Sequence, residues 1–259
     1  MSDFNIVGVG NALVDILSHC PDQFLADNGV DKGIMQLIDE DRAIELYGVM
    51  GPAKEISGGS AANTIAGAAM LGAKTAYFGK VKDDQLGAIF AHDIRALGVT
   101  YETPLAPKNE THETGRCMVL VTPDGERSMS TYLGVSEALG PDDIDTAICG
   151  GAEWLYLEGY RFDGPASVAA FDKAISACKG GGGRVSITLS DPFCVDRHRD
   201  AFRRLIADHT DLLFANEHEV MSLYETEDLD DRGECCVMAS RDEPRNQLFG
   251  CCSQSELAQ

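Results

Sequence analysis

Positive charge is scarce in this sequence: 21 Lys and Arg stand against 42 Asp and Glu, a formal net charge of −21 at pH 7. So acidic a surface repels phosphate backbones and anionic lipid, which sets aside nucleic-acid and membrane partners but leaves room for a locally positive pocket. Long apolar runs are missing too, and none reaches the length that spans a bilayer. The opening residues, Met-Ser-Asp-Phe-Asn-Ile-Val, carry no basic stretch of the kind that begins a secretory leader, so a cytoplasmic setting is expected. Several chemistries are excluded by absent motifs. There is no Cys-x-x-Cys and no His-Glu-x-x-His to hold a metal, no Gly-x-Ser-x-Gly to raise a nucleophile, and no Gly-Lys-Ser/Thr to close a P-loop.

What is present is ordinary globular composition, 44% hydrophobic and 24% charged over 259 residues, enough for one full-sized core or a domain with a small lid. Of nine cysteines, Cys20, Cys117, Cys149, Cys178 and Cys194 are scattered singly, as buried thiols are. The other four, Cys235, Cys236, Cys251 and Cys252, crowd the last 28 residues. Fourteen residues separate those two pairs, a spacing that matches none of the usual zinc sites.

Periodicity predicts strands over residues 4–9, 75–81, 154–158, 184–189 and 212–215. Helices are predicted over 39–49, 61–71, 84–97, 165–178, 196–207 and 217–224. Strands alternating with helices of this length imply an α/β domain: a doubly wound, mostly parallel sheet flanked by helices. Two segments break the alternation. Residues 33–38 read as a strand without a crossover helix, and 115–121 and 127–133 as strands joined through Pro123-Asp124-Gly125, which is hairpin chemistry. These pieces, near 12–38 and 100–133, are expected to form a small β-lid over the carboxyl ends of the main strands; an extension of the sheet edge is the alternative.

Three clusters could carry chemistry. Gly8-Val-Gly10 follows the first strand but lacks the third glycine of a dinucleotide fingerprint, Leu13 standing in its place. Beyond it come Asn11 and Asp15, an amide and a carboxylate suited to sugar hydroxyls, or equally a turn former and a solvated strand residue. Next is Ser57-Gly58-Gly59-Ser60-Ala61-Ala62-Asn63, where paired glycines permit close backbone approach to a ligand before a helix of small residues. Asn63 there is either a ligand-facing amide or a cap. Last, Asn216-Glu217-His218-Glu219 follows a strand, either as hard oxygen ligands for Mg²⁺ or as a helix capping box.

The run from Gly58 through Leu71-Gly72-Ala73 and on through Gly79-Lys80-Val81-Lys82-Asp83-Asp84-Gln85-Leu86-Gly87 resembles the first signature of the ribokinase-like (PfkB) kinases. Gly10-Asn11-x-x-x-Asp15 is most similar to the adenosine-kinase branch, and the resemblance extends over about residues 4–231. It implies a ribokinase-like fold, ATP and Mg²⁺ as cofactors, and phosphorylation of a nucleoside or sugar hydroxymethyl group. It also implies that Asn11, Asp15, Gly58, Gly59 and Asn63 bind the acceptor, Asn216 the nucleotide, and Glu219 the magnesium. Asp191, in Ser190-Asp191-Pro192, is a looser match and receives no role.

The resemblance fails at one place. In the family, a Gly-Ala-Gly-Asp segment supplies the anion hole and the general base, and no such segment stands in this sequence. After Asp231 the residues sustain neither helix nor strand period, so 232–259 is expected to be an atypical, poorly ordered or out-of-frame tail, the prematurely ended remainder of a longer kinase, with a genuine specialised terminus as the alternative. Little or no turnover is expected, with association through an uncovered sheet edge as a hazard. The rivals are a nucleoside- or sugar-binding protein that does no chemistry, a kinase for a free sugar, and a dehydrogenase, which Leu13 disfavours.

Overall fold

The computed structural model describes residues 3–226. Their order is β1 (Phe4–Val9), β2 (Leu13–His19), α1 (Asp22–Asp27), β3 (Met35–Leu37), α2 (Glu40–Val49), β4 (Lys54–Gly58), α3 (Ser60–Met70), β5 (Thr75–Phe78) and α4 (Gln85–Ala96). There follow β6 (Gly115–Val121), β7 (Arg127–Tyr132), α5 (Thr146–Gly150), β8 (Ala152–Glu158), α6 (Ser167–Gly180), β9 (Arg184–Thr188), α7 (Pro192–Asp208), β10 (Leu212–Phe214) and α8 (Glu217–Tyr224). The acidic tail beyond residue 226, with its four cysteines, lies outside the described residues.

The strands make two sheets. The first is parallel throughout, in the order β10-β9-β8-β1-β5, with Val7 paired to Leu155 and Val9 to Leu157. Alternation assigns its faces. Val7, Val9, Leu155, Leu157, Val185 and Ile187 pack with α5, α6, α7 and α8, whereas Ile6, Tyr77 and Tyr156 join the core beneath α3. Helices therefore cover both faces, which is why these strands read as nearly continuous apolar runs. Each fully buried aliphatic side chain contributes about 1.5–3 kcal/mol, so this layer is a large part of what holds the fold together.

The second sheet runs β3-β7-β6-β2-β4 and is mixed. Its hairpin β6–β7 turns through Pro123-Asp124-Gly125, and β2 pairs parallel to β6 but antiparallel to β4. One face, with Val14, Ile16, Met118 and Leu120, packs on α2 and α4. On the other face one cross-strand row is Ile56, Asp15, Cys117, Thr131 and Leu37, each opposite the next. Of the segments expected near 12–38 and 100–133, residues 13–19, 35–37, 115–121 and 127–132 contribute strands, and β4 joins them. That strand escapes sequence pattern because Lys-Glu-Ile-Ser-Gly holds one apolar residue and borrows its pairing from β2.

Boundaries shift where local chemistry overrides period. The predicted strand over 75–81 stops at Phe78, and the predicted helix over 196–207 begins at Pro192, with Asp191 accepting from Cys194 N–H at 2.6 Å. That helix carries non-helical dihedrals at His198. Asp39, Asp84 and Asp145 cap α2, α4 and α5 in the same way.

Candidate functional site

All first-sheet strands are parallel, so their carboxyl ends share one edge. Asn11 after β1, Glu158 ending β8, Ser190 after β9 and Asn216 after β10 stand along it. From β1 the chain reaches β5 on one side, and β8 lies on the other. The crevice at β1 and β8 is thus the topological switch point, where open α/β sheets bind ligands.

Asn11, Glu158 and Arg161 meet at that crevice, each only 1% exposed. The Glu158 carboxylate accepts from Asn11 N–H at 3.2 Å and from Ala61 N–H at 2.7 Å. Gly59, the residue capping α3, has no side-chain oxygen to offer, and Glu158 supplies one from 97 residues away. Arg161 donates to Asn11 Oδ1 at 2.9 Å, to the Ser136 carbonyl at 2.6 Å and to the Leu139 carbonyl at 3.0 Å. Burial pushes the Glu158 carboxyl up, against the hydrogen bonds from Ala61 and Asn11 and the charge of Arg161 that hold it down. Burial likewise lowers Arg161, and Glu158 opposes that most strongly. Lys80 and Asp143 form an ion pair at 2.5 Å.

The predicted glycine pair is dictated by its neighbours. A Cβ on Gly58 would lie 2.2 Å from Asp15 Cγ, so the Asp15 carboxyl rests directly on the Gly58 backbone. A Cβ on Gly59 would lie 2.3 Å from the Asn11 carbonyl oxygen, and Gly59 has φ +102°, where only glycine is comfortable. Asp15, half-buried on the open face of the second sheet, has its carboxyl pushed up to about 6 by burial, moderated by the Asn63 side chain and by Arg127. Asn63 itself is exposed on the first turn of α3. The structure therefore brings Asp15, Gly58, Gly59 and Asn63 to one spot between the two sheets. Asn11 touches that spot with its backbone only; its side chain turns inward to Arg161.

Asn216 and Glu219 form a closed capping box. Glu219 N–H donates to Asn216 Oδ1 at 2.9 Å, and the two Glu219 oxygens accept from Asn216 N–H at 3.0 Å and Asn216 Nδ2 at 2.8 Å. Burial raises the Glu219 carboxyl. With both oxygens engaged and the side chain buried, Glu219 is not poised as a direct magnesium ligand. Among the described residues no group of three or more His, Cys, Asp and Glu could hold a metal ion. Two strands separate β10 from β1, so Asn216 stands about 14 Å from the Asn11 crevice.

Sequence reasoning missed Glu158 and Arg161. The available signal was a charged residue ending the apolar run Trp154-Leu-Tyr-Leu, at a strand's carboxyl end. It also missed Ser190, a non-glycine residue at φ 77° whose Oγ accepts from Tyr160 N–H at 3.1 Å. The five described cysteines are all free and buried, and no described helix is long and apolar enough to cross a membrane.

Comparison with known proteins agrees with this geometry. Residues 44–241 match the model of the pfkB family carbohydrate kinases. An ATP-dependent ribose-1-phosphate kinase of Halopiger xanaduensis is 33% identical over 186 residues, covering 69% of this chain and 58% of that protein. The guanosine-inosine kinase of Escherichia coli is 25% identical over 236 residues, covering 84% and 52%. Among solved structures, a probable sugar kinase from Rhizobium etli has 50% identity and TM-score 0.83, covering 88% of this chain and 69% of its own. The adenosine kinase from Sinorhizobium meliloti has 43% identity and TM-score 0.86, covering 97% and 81%. The chain spans between half and three-fifths of the length of those two curated relatives.

Proposed function

The chain belongs to the pfkB family of carbohydrate kinases, and on that premise we propose that it holds the acceptor half of an ATP-dependent kinase acting on a nucleoside hydroxymethyl group. Adenosine is the first candidate acceptor and a free sugar the second. The observation that carries this reading is the Asp15 carboxyl resting on Gly58 with Asn63 beside it, on the open face of a sheet next to the switch point. An ionised carboxylate accepts only, so it suits paired sugar hydroxyls, and Asn63 offers both a donor and an acceptor. The second sheet would cover the acceptor as a lid and exclude water, which strengthens every polar contact beneath it.

Phosphoryl transfer needs donors for the transferred group and a base for the attacking hydroxyl. The family's Gly-Ala-Gly-Asp, which combines these, is absent from the 259 residues. Magnesium enters this proposal as the companion of ATP, not as an ion held directly by Glu219. The 259-residue polypeptide is accordingly expected to bind acceptor and to turn it over weakly or not at all. That absence also favours a second reading, a nucleoside-binding protein without chemistry. Calorimetry with adenosine and ribose, paired with an assay of ATP-dependent AMP formation, tests both. Adenosine binding with negligible AMP formation is expected. Robust AMP formation would refute the loss of turnover, and no binding of either acceptor would sink both readings.

A further inference from the structure

A buried arginine just beyond a strand's carboxyl end calls for a reason, because an apolar side chain of similar volume usually serves stability as well or better. Arg161 is among the largest fully buried side chains of the described residues, and one of its hydrogen bonds leads to Asn11, beside the Gly58-Gly59 turn. A guanidinium has donors only. It therefore forces Oδ1 of Asn11 inward and holds that residue against β8, while its other bonds reach Ser136 and Leu139 in the segment after β7. Asn11 in turn gives its N–H to Glu158 and sets its carbonyl against Gly59. Glu158 grips the other end of the same turn through Ala61 N–H. The turn is thus held by a hydrogen bond at Ala61 and by close contact at Gly59, and Gly58, one residue before it, is the surface on which the Asp15 carboxyl lies. The pathway is contiguous: Arg161, Asn11, Gly59, Gly58, Asp15.

We propose that Arg161 is a positioning residue for acceptor binding, acting through Asn11 to hold the Gly58-Gly59 turn against the Asp15 carboxyl. This rests on the acceptor reading of Asp15 given above. Arg161 takes Asn11 Oδ1, while the buried Asn11 Nδ2 has no hydrogen-bond partner among the described residues. Glu158 shares the support through its hydrogen bonds from Asn11 and Ala61, and its carboxyl is the largest of several groups that favour the charged guanidinium against burial.

The test uses the full chain and the variants Arg161→Lys, Asn11→Ala and the two combined, each checked for a cooperative thermal transition. Two quantities are read: the adenosine Kd by calorimetry, and the midpoint of the Asp15 carboxyl titration by ¹³C NMR, which needs no ligand. Arg161→Lys is expected to weaken adenosine binding on the order of tenfold or more, as small misplacements of a site do. It is also expected to move the Asp15 midpoint from about 6 towards the ordinary aspartate range, as the loosened turn lets water reach the carboxyl. A general loss of stability would not move that midpoint while the variant remains folded. Asn11→Ala should do the same, and the double variant should be no worse than either single one, because all act on one pathway. Wild-type affinity and midpoint in Arg161→Lys would overturn the proposal, as would losses that multiply in the double variant. Should Arg161→Lys fail to fold, Asn11→Ala decides alone: a wild-type Asp15 midpoint there overturns it. A shifted midpoint in variants of a protein whose wild type binds no adenosine or ribose supports the positioning and refutes the acceptor reading.

Discussion

Replacing Gly58 by alanine should injure the site while sparing the fold. Gly58 ends β4 with a backbone that any residue accepts, so the added methyl meets only what lies above it. That is the Asp15 carboxyl, with Cγ and Oδ1 each 2.2 Å and Oδ2 2.4 Å from the new Cβ. Carbon atoms rest at about 3.5–4.0 Å, so the carboxyl must retreat by about 1.5 Å. It is the free end of a rotatable side chain, and leaving its well costs about 0.5–1.5 kcal/mol. Replacing glycine by alanine also stiffens the unfolded chain, which stabilises by about 0.4–1 kcal/mol. The two nearly cancel, and stability should stay within about 1 kcal/mol of wild type. Acceptor binding should not stay, since a hydrogen bond to a charged group contributes about 1.5–3 kcal/mol, or about 10- to 150-fold in Kd.

A four-member cycle of wild type, Gly58→Ala, Asp15→Ala and the double variant isolates the contact. Urea unfolding gives the stabilities and calorimetry gives adenosine affinity. Once Asp15 is alanine, the methyl at 58 has nothing to displace, so Gly58→Ala should then be neutral for binding and neutral or slightly stabilising for folding. If Gly58→Ala lost several kcal/mol of stability in both backgrounds, the glycine would be required by the backbone and the close-contact reasoning would be wrong.

Gly59→Ala is the contrasting case: φ +102° and a backbone oxygen at 2.3 Å should cost at least about 1–3 kcal/mol whatever stands at 15, measured by the same urea titration. The raised Asp15 carboxyl predicts two opposite pH effects. Between pH 4 and 6 the folded state keeps a proton that the unfolded chain has released, so stability should fall as pH rises through that window, by at most about 3 kcal/mol. Asp15→Asn should remove that slope. Adenosine affinity should instead rise as pH passes about 6, because only the ionised carboxylate accepts from both hydroxyls, and a flat Kd from pH 5 to 8 would contradict this. Asn216→Ala should cost about 1 kcal/mol by opening the capping box at α8, read by thermal unfolding, and should leave adenosine affinity untouched.

Much of this architecture is visible in the residues because period and burial agree. The first-sheet strands are apolar on both faces, and six predicted helices appear with ends shifted by a few residues, mostly where an aspartate caps them. What escaped is what the chain does only in company. The strand β4 exists because β2 offers it a ladder, and α1 is too short for its period to register. The site divides the same way. Gly58, Gly59 and Asn63 are contiguous in sequence and easily grouped with Asp15, whereas Glu158 and Arg161 join them across about a hundred residues or more. The sequence of Asn216 to Glu219 alone favours a cap, a metal role comes only from the family resemblance, and the closed hydrogen-bond ring shows the cap.

The glycines after the first strand show why a short motif misleads. Gly8 and Gly10 look like the start of a dinucleotide fingerprint, whose glycines admit a pyrophosphate. Here the space they leave is filled by protein. A Cβ on Gly8 would strike Ile65 Cγ1 at 2.5 Å, and one on Gly10 would strike Glu158 Oε2 at 2.6 Å and Ala61 Cβ at 2.7 Å. Both glycines let α3 press onto β1, and that approach is what brings Ala61 N–H within reach of Glu158. The same closeness that excludes a dinucleotide builds the pinned turn on which Asp15 rests. Gly10→Ala should therefore act as a lever on the acceptor site: it must push Glu158 or α3 aside, which predicts weakened adenosine binding and a lowered Asp15 titration midpoint together. A variant that lost stability while keeping both values would show that α3 and the Gly58-Gly59 turn are not coupled through Glu158.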